Sequence, residues 1–233
     1  MKKLVFAFLG VLMLGLPSCM KTGDNISNYQ DIPAIVGISY ETFQPTIITS
    51  GGTFLAPELS NYLYTELFEG DAIWIYYFSI NYDQPTTTGE YIAYDLQFFT
   101  VETGWAQSGM SGEYDVPITN MGVADLVGNV MFCVFEHKAP TDQKFRYELT
   151  YETNEASELE LCIRAEYADT ESTGTATTVN YPFAFNMYYV FIQYKGADNI
   201  VKFKMKYKTG VDDEGNDEYT YYASGVLFEV KIE

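Results

Sequence analysis

Histidine is nearly missing from this chain: His137 stands alone among 233 residues, and cysteine appears only at Cys19, Cys133 and Cys162. One histidine gives no Ser-His-Asp arrangement to assign, and two cysteines with one histidine at these positions have no metal-ligand spacing. No cofactor motif is present, and none is expected. Positive charge is missing from a whole half. Between Thr22 and His137 there is no Lys or Arg against fifteen Asp and Glu; from Lys138 onward ten basic residues face seventeen acidic ones, and the net charge is −19. A nucleic-acid surface must supply cations to displace condensed counterions, so the first half excludes that partner. Long apolar runs are missing too. The greasiest stretch, Leu4 to Leu16, falls short of the about 20 residues that a membrane-spanning helix needs.

That short run has a function of its own. Lys2 and Lys3 precede it and Leu16-Pro17-Ser18-Cys19 ends it. A basic start followed by a short apolar core is the pattern of a secretory signal, outside the folded protein. The four closing residues resemble a bacterial lipobox, with Pro17 where a small or β-branched residue is usual. Residues 1–18 are then a signal peptide, and Cys19 carries acyl chains, each buried methylene contributing about 0.8 kcal/mol to anchoring. Residues 19–30, polar and Asn-containing, form a tether too poor in bulk to bury a core. The expected location is the cell envelope, as an outer-membrane lipoprotein. Asp24 is the one acid close behind Cys19, so the choice between periplasmic face and cell surface stays open.

The remainder carries 21 Tyr and 16 Phe, residues that suit a half-buried pleated surface, and an all-β fold follows. Residues 31–105 read as a small OB-like barrel. "AIVGISY" and "PTIIT" are short strands, and "SGG" at Ser50–Gly52 is a tight turn. "GDAIWIYYFSINY" is a long strand preceded by a helical turn in "NYLYTELF", and "EYIAYDLQFFTV" follows. The Gly- and Ser-containing stretch from Glu102 to Gly122 lacks periodicity and marks the boundary. Residues 122–233 read as an antiparallel β-sandwich. "FRYELTYE" and "ELELCIRAEY" alternate cleanly and make a hairpin with one wet face, and "VKFKMKYK" alternates Val201, Phe203, Met205 and Tyr207 with four lysines. An extracytoplasmic compartment permits a Cys133–Cys162 bridge, although alternation places Cys162 on the polar side of its strand.

Cys19, "GGTFLAPEL…EGDAIWIYYFSINYDQ" and "NVMFCVFEHKAP…FRYELTYETN…LELCIRAEY" together resemble the NigD-like lipoproteins of Bacteroidetes. The resemblance implies a lipobox, an OB-like first domain and a β-sandwich second domain, and brings no site residue with it. Candidate contacts come from the residues themselves. Alternation sets Trp74, Tyr76, Phe78, Ile80 and Tyr82 on one face, a stacking platform or else barrel core. Trp105, between Gly104 and Ala106 in a stretch without strand pattern, is an exposed loop contact or an interdomain plug. The lysines at 202–208 read as protection of a sheet edge, and "DDEGNDE" at 212–218 as a Gly-centred acidic hairpin loop rather than a calcium loop. The expected function is a non-catalytic envelope lipoprotein serving as a structural or protein-interaction module. A glycan- or peptide-binding surface lipoprotein is the alternative, and an enzyme of unspecified type comes third.

Overall fold

The computed structural model describes residues 25–109, 114–154, 156, 158–169 and 173–232; residues 1–18, expected to be a signal peptide, and Cys19 lie outside them. The chain divides into two compact units, ending at Thr100 and beginning at Val101.

The first unit is a five-stranded antiparallel sheet of β1 (Ile26–Ile38), β2 (Pro45–Thr49), β3 (Gly52–Leu55), β4 (Ala72–Asn81) and β5 (Ala93–Thr100), in the order β3-β2-β1-β4-β5. Its two ends meet: Leu55 pairs in parallel with Ile92, and the Leu55 amide donates to the Tyr91 carbonyl at 2.9 Å. This closure makes the strand order that of an OB barrel and removes part of the open edge. A 3₁₀ turn at Pro57–Asn61 links β3 to β4. Ile47, Leu59, Ile73, Ile75, Phe78 and Ile80 are fully buried inside.

Two differences from the sequence reading concern this unit. The tether is shorter than residues 19–30, because Ile26–Gln30 already pair with Tyr77–Asn81 of β4. The long strand also does not keep one face. Register breaks against β5 on both sides of Tyr77, and Asp31 of β1, opposite the same point, takes a positive φ of 53°. Such bulges insert a residue and reverse the alternation. Ile73 and Ile75 therefore face the core before the break, and Phe78 and Ile80 after it, leaving Trp74 and Tyr76 on the outside.

Gly37 shows how tightly β1 and β2 approach. A Cβ at that position would lie 2.7 Å from Thr46 Oγ1 and 3.0 Å from Ile48 Cδ1. Gly37→Ala is expected to destabilise the first unit by about 1–3 kcal/mol through overpacking, read from the urea midpoint of Trp74 fluorescence. An unchanged midpoint would show that the β1–β2 seam is loose.

The second unit is one curled nine-stranded sheet: β6 (Thr103–Ser108), β7 (Asn120–Val127), β8 (Val130–Ala139), β9 (Phe145–Thr153), β10 (Leu159–Tyr167), β11 (Thr177–Asn186), β12 (Ile200–Val211), β13 (Asp217–Tyr221) and β14 (Phe228–Lys231). One helix, α1 (Tyr188–Tyr194), follows β11. The order is β13-β12-β10-β9-β6-β11-β8-β7, with β14 pairing the start of β12. The β9–β10 hairpin has the register that alternation implies, Ile163 opposite Leu149. Phe145, Tyr147, Leu149, Leu161, Ile163, Phe203 and Met205 pack against Phe135, Phe183 and Phe185 from β8 and β11 in one core. Phe135 stacks on Tyr147 at 4.3 Å.

The sandwich is not purely antiparallel. β10 runs parallel to β12, and β6 runs parallel to both its neighbours, pairing Thr103–Trp105 with β11 and Ala106–Ser108 with β9. β6 thus bridges the two halves of the sheet, as strands do at sandwich corners. It also corrects the boundary: residues 103–108, read as the end of the barrel and an aperiodic linker, form a central strand of the second unit.

Candidate interaction surface

Trp105 is carried by that central strand, not by a loop. Along β6 the alternation turns Gly104 and Ala106 inward and Thr103, Trp105 and Gln107 outward. Gly104 is needed for the close approach, since a Cβ there would sit 3.1 Å from the Phe183 ring. Gln107 Nε2 donates to Glu148 Oε1 at 2.6 Å, tying the strand to β9. Pinned on both edges, Trp105 still leaves 56% of its surface exposed. Its ring centroid lies 5.6 Å from that of Tyr189, which in turn meets Tyr188 edge-on at 5.6 Å.

Both tyrosines belong to α1. This helix buries Val190 and Phe191 and turns Tyr188, Tyr189 and Ile192 to solvent. Asn186 Oδ1 accepts from the Tyr188 amide at 3.0 Å, fixing the start of the turn. The result is an exposed patch of Trp105, Tyr188, Tyr189 and Ile192, large apolar groups that water contacts at a cost. The sequence reading found Trp105 and missed its neighbours. The signal was there: "YYVFIQY" is apolar or aromatic at every position but Gln193, and a helix with one buried face then shows such groups on the other.

Trp74 and Tyr76 lie in the other unit. Trp74 is half-buried and Tyr76 is 53% exposed. Tyr76 packs on Phe99 at 5.1 Å, and Tyr62 meets Phe98 edge-on at 5.5 Å. These rings, with Glu66, Leu96 and Gln97, line a groove of about 450 Å³ on the outside of the barrel.

The face of β9, β10 and β12 that alternation marks as wet is largely dry. Glu148, Thr150, Glu160, Cys162, Arg164 and Lys208 are all buried there. Arg164 pairs with Glu148, its guanidinium 5.4 Å over the Tyr114 ring. The lysine row is fully matched: Lys202 to Glu229 and Lys204 to Glu158, both at 2.6 Å; Lys206 to Glu160 at 2.8 Å; Lys208 to Asp217 at 2.6 Å and Asp115 at 2.8 Å. β12 is an interior strand, so these lysines are partners of carboxylates and do not guard an edge. The hydrogen bond from Lys208 holds the Asp217 carboxyl below its ordinary range. The acidic hairpin loop is as read from the sequence, with Asp212 accepting from the amides of Glu214 and Asn216.

The two thiols do not form the bridge considered above. Cys133 points into the core of the unit while Cys162 is on the opposite, polar face of β10, and both are free. Burial pushes both up, Cys162 to about 11, so neither is a ready nucleophile. His137 is sealed in as well. Its Nδ1 donates to the Pro117 carbonyl at 2.9 Å, which leaves Nε2 to accept from the Tyr147 hydroxyl at 2.8 Å, and the ring stacks on Phe145 at 4.0 Å. Burial lowers its pKa to about 4, outweighing the bond to Pro117.

No family model and no curated protein matches the chain. Solved structures do. An uncharacterized protein from Parabacteroides merdae superposes with a TM-score of 0.70 at 18% identity, over 88% of this chain and 100% of that one. A putative toxin related protein from Parabacteroides distasonis gives 0.51 at 15%, over 89% and 94%. A NigD-like immunity protein from Bacteroides caccae gives 0.50 at 12%, over 85% and 95%. At these identities the likeness is one of fold. The closed five-stranded barrel followed by the curled sheet is thus an arrangement this chain shares with a NigD-like protein of the Bacteroidetes, as the sequence resemblance implies.

Proposed function

We propose that this protein is a non-catalytic module of the cell envelope, anchored through acyl chains on Cys19, that docks a protein partner through the Trp105 patch. One observation carries the reading: a tryptophan more than half exposed, fixed on a strand paired along both edges and flanked by Tyr189. A rigid aromatic anchor loses little freedom on binding. Trp and Tyr dominate the energetics of protein interfaces for that reason. The fold shared with a NigD-like immunity protein accords with a non-catalytic module. The single histidine, locked neutral in the core, is not available as a surface acid or base.

A photo-crosslinking amino acid placed at Trp105 or Tyr189 in cells tests this. The expected result is one discrete protein adduct from both positions, absent when the crosslinker stands at Tyr40, which is more exposed still and lies in the other unit. No adduct, combined with a glycan-induced fluorescence shift that Trp105→Ala removes, would replace the protein partner by a sugar. Protease shaving of intact cells beside a Cys19→Ala control tests the anchor and reports the membrane face. Equal release of both forms would sink it.

A further inference from the structure

The barrel groove has a chemical character that the Trp105 patch lacks. Its walls are fixed. Leu59 and Leu67 are buried at the Tyr62–Leu67 turn, and Tyr64 holds a positive φ of 62°, secured by the hydrogen bond its amide donates to the Leu67 carbonyl at 2.7 Å. On the other side Glu58 clamps β5, its carboxylate oxygens accepting from the amides of Asp95 and Leu96 at 3.1 and 3.0 Å. Between these walls the exposed rings of Tyr62 and Tyr76 are joined by Phe98 and Phe99, and Glu66 contributes a carboxylate.

Charge selects the occupant. Residues 25–100 contain nine Asp and Glu and no Lys, Arg or His, so among the described residues of this unit no cation can neutralise Glu66. The second unit differs: there each lysine from Lys202 to Lys208 meets a carboxylate of its own chain. Faces of aromatic rings attract cations through their quadrupole, and a carboxylate beside them adds to the attraction. An anionic ligand is repelled, and a neutral one gains nothing from the charge. We propose that this groove receives a lysine or arginine side chain of a basic partner protein, at a site separate from Trp105.

The test uses the intact mature protein and a labelled peptide of alternating lysine and glycine, followed by anisotropy near physiological salt. Saturable binding is expected, weakened about tenfold or more, or by roughly 1.4 kcal/mol, in Tyr76→Ala and in Glu66→Gln. Both side chains are exposed, so circular dichroism should show the fold intact. Glu41→Gln, on the exposed loop between β1 and β2, is expected to leave affinity unchanged, and so is Trp105→Ala. Equal loss in Glu41→Gln would reduce the effect to diffuse attraction by an acidic protein and overturn the proposal. So would an absence of peptide binding, or preference for an uncharged maltooligosaccharide over the peptide. Since Trp105 lies outside the groove, failure here leaves the docking patch standing, and failure of the crosslinking leaves the groove standing.

Discussion

Glu148→Gln is expected to lower the stability of the second unit by about 3–5 kcal/mol, the largest effect among single changes considered for this protein. Glu148 and Arg164 are each about 4% exposed. Moving two such charges out of water costs several kcal/mol apiece, which only their mutual attraction offsets. Removing one charge leaves the other buried and uncompensated. The Gln107 bond, which holds β6 against β9, weakens at the same time. Replacing both, as Glu148→Leu with Arg164→Met, is expected to recover most of the loss, since a buried pair is no better than well-packed apolar groups. The two tryptophans make the measurement clean. Trp74 belongs to the first unit and Trp105 to the second, so urea unfolding in a Trp74→Phe background reports the second unit alone. A single variant within about 1 kcal/mol of the parent would mean that water reaches the pair.

Mild acid should act through His137. Its folded pKa, about 4, lies below the ordinary value of 6.5. As pH falls through 6.5 the unfolded chain takes up a proton that the folded chain refuses until about pH 4. Stability therefore declines across that window, by roughly 3 kcal/mol in total and at most about 1.4 kcal/mol per pH unit. Carboxylates held low by lysines, Glu158 and Glu160 with an ordinary value of 4.5 and Asp217 with 3.8, begin to lose their contribution only as pH approaches those values, so the stretch from about 6.5 to 5.5 belongs to the histidine. Unfolding midpoints against pH for the parent and for His137→Gln check it. The parent curve should slope from about pH 6.5 to 5.5 while the variant curve stays flat there, whatever its starting stability. Parallel curves would assign the acid sensitivity elsewhere.

What the sequence made legible was the part of the fold governed by period two and one apolar face. The hairpin of β9 and β10 reads directly from Phe145, Tyr147, Leu149 against Leu161, Ile163, Ala165, because slipping one residue would put four large side chains into water. The barrel was legible from its turn signals. Three features were not. At Tyr77 the bulge reverses inside and outside, and nothing in "IWIYYFSI" marks the reversal, since every residue there is tolerable on either face. On the second unit a polar alternate face was read as wet. Alternation reports one layer, whereas Tyr114 lies against Arg164, Tyr219 against Lys206, and Tyr221 and Lys206 bond to Glu160, as a second. Trp105 looked like a loop residue because "TGWAQS" is short and Gly-containing, and its pairing partners are remote in sequence.

That remoteness bears on how the molecule forms. β6 is the first strand of its unit to leave the ribosome, yet its neighbours are β9, which starts at Phe145, and β11, which starts at Thr177. Parallel pairing with distant partners must absorb a large loop-closure entropy before any contact repays it, and strands of this kind join slowly. Until Tyr151 is available the strand bearing Trp105 has two open edges, and until Asn186 it still has one, the condition in which chains pair with one another instead of with themselves. The earliest strand of the second unit thus gains its second neighbour only once β11 has emerged.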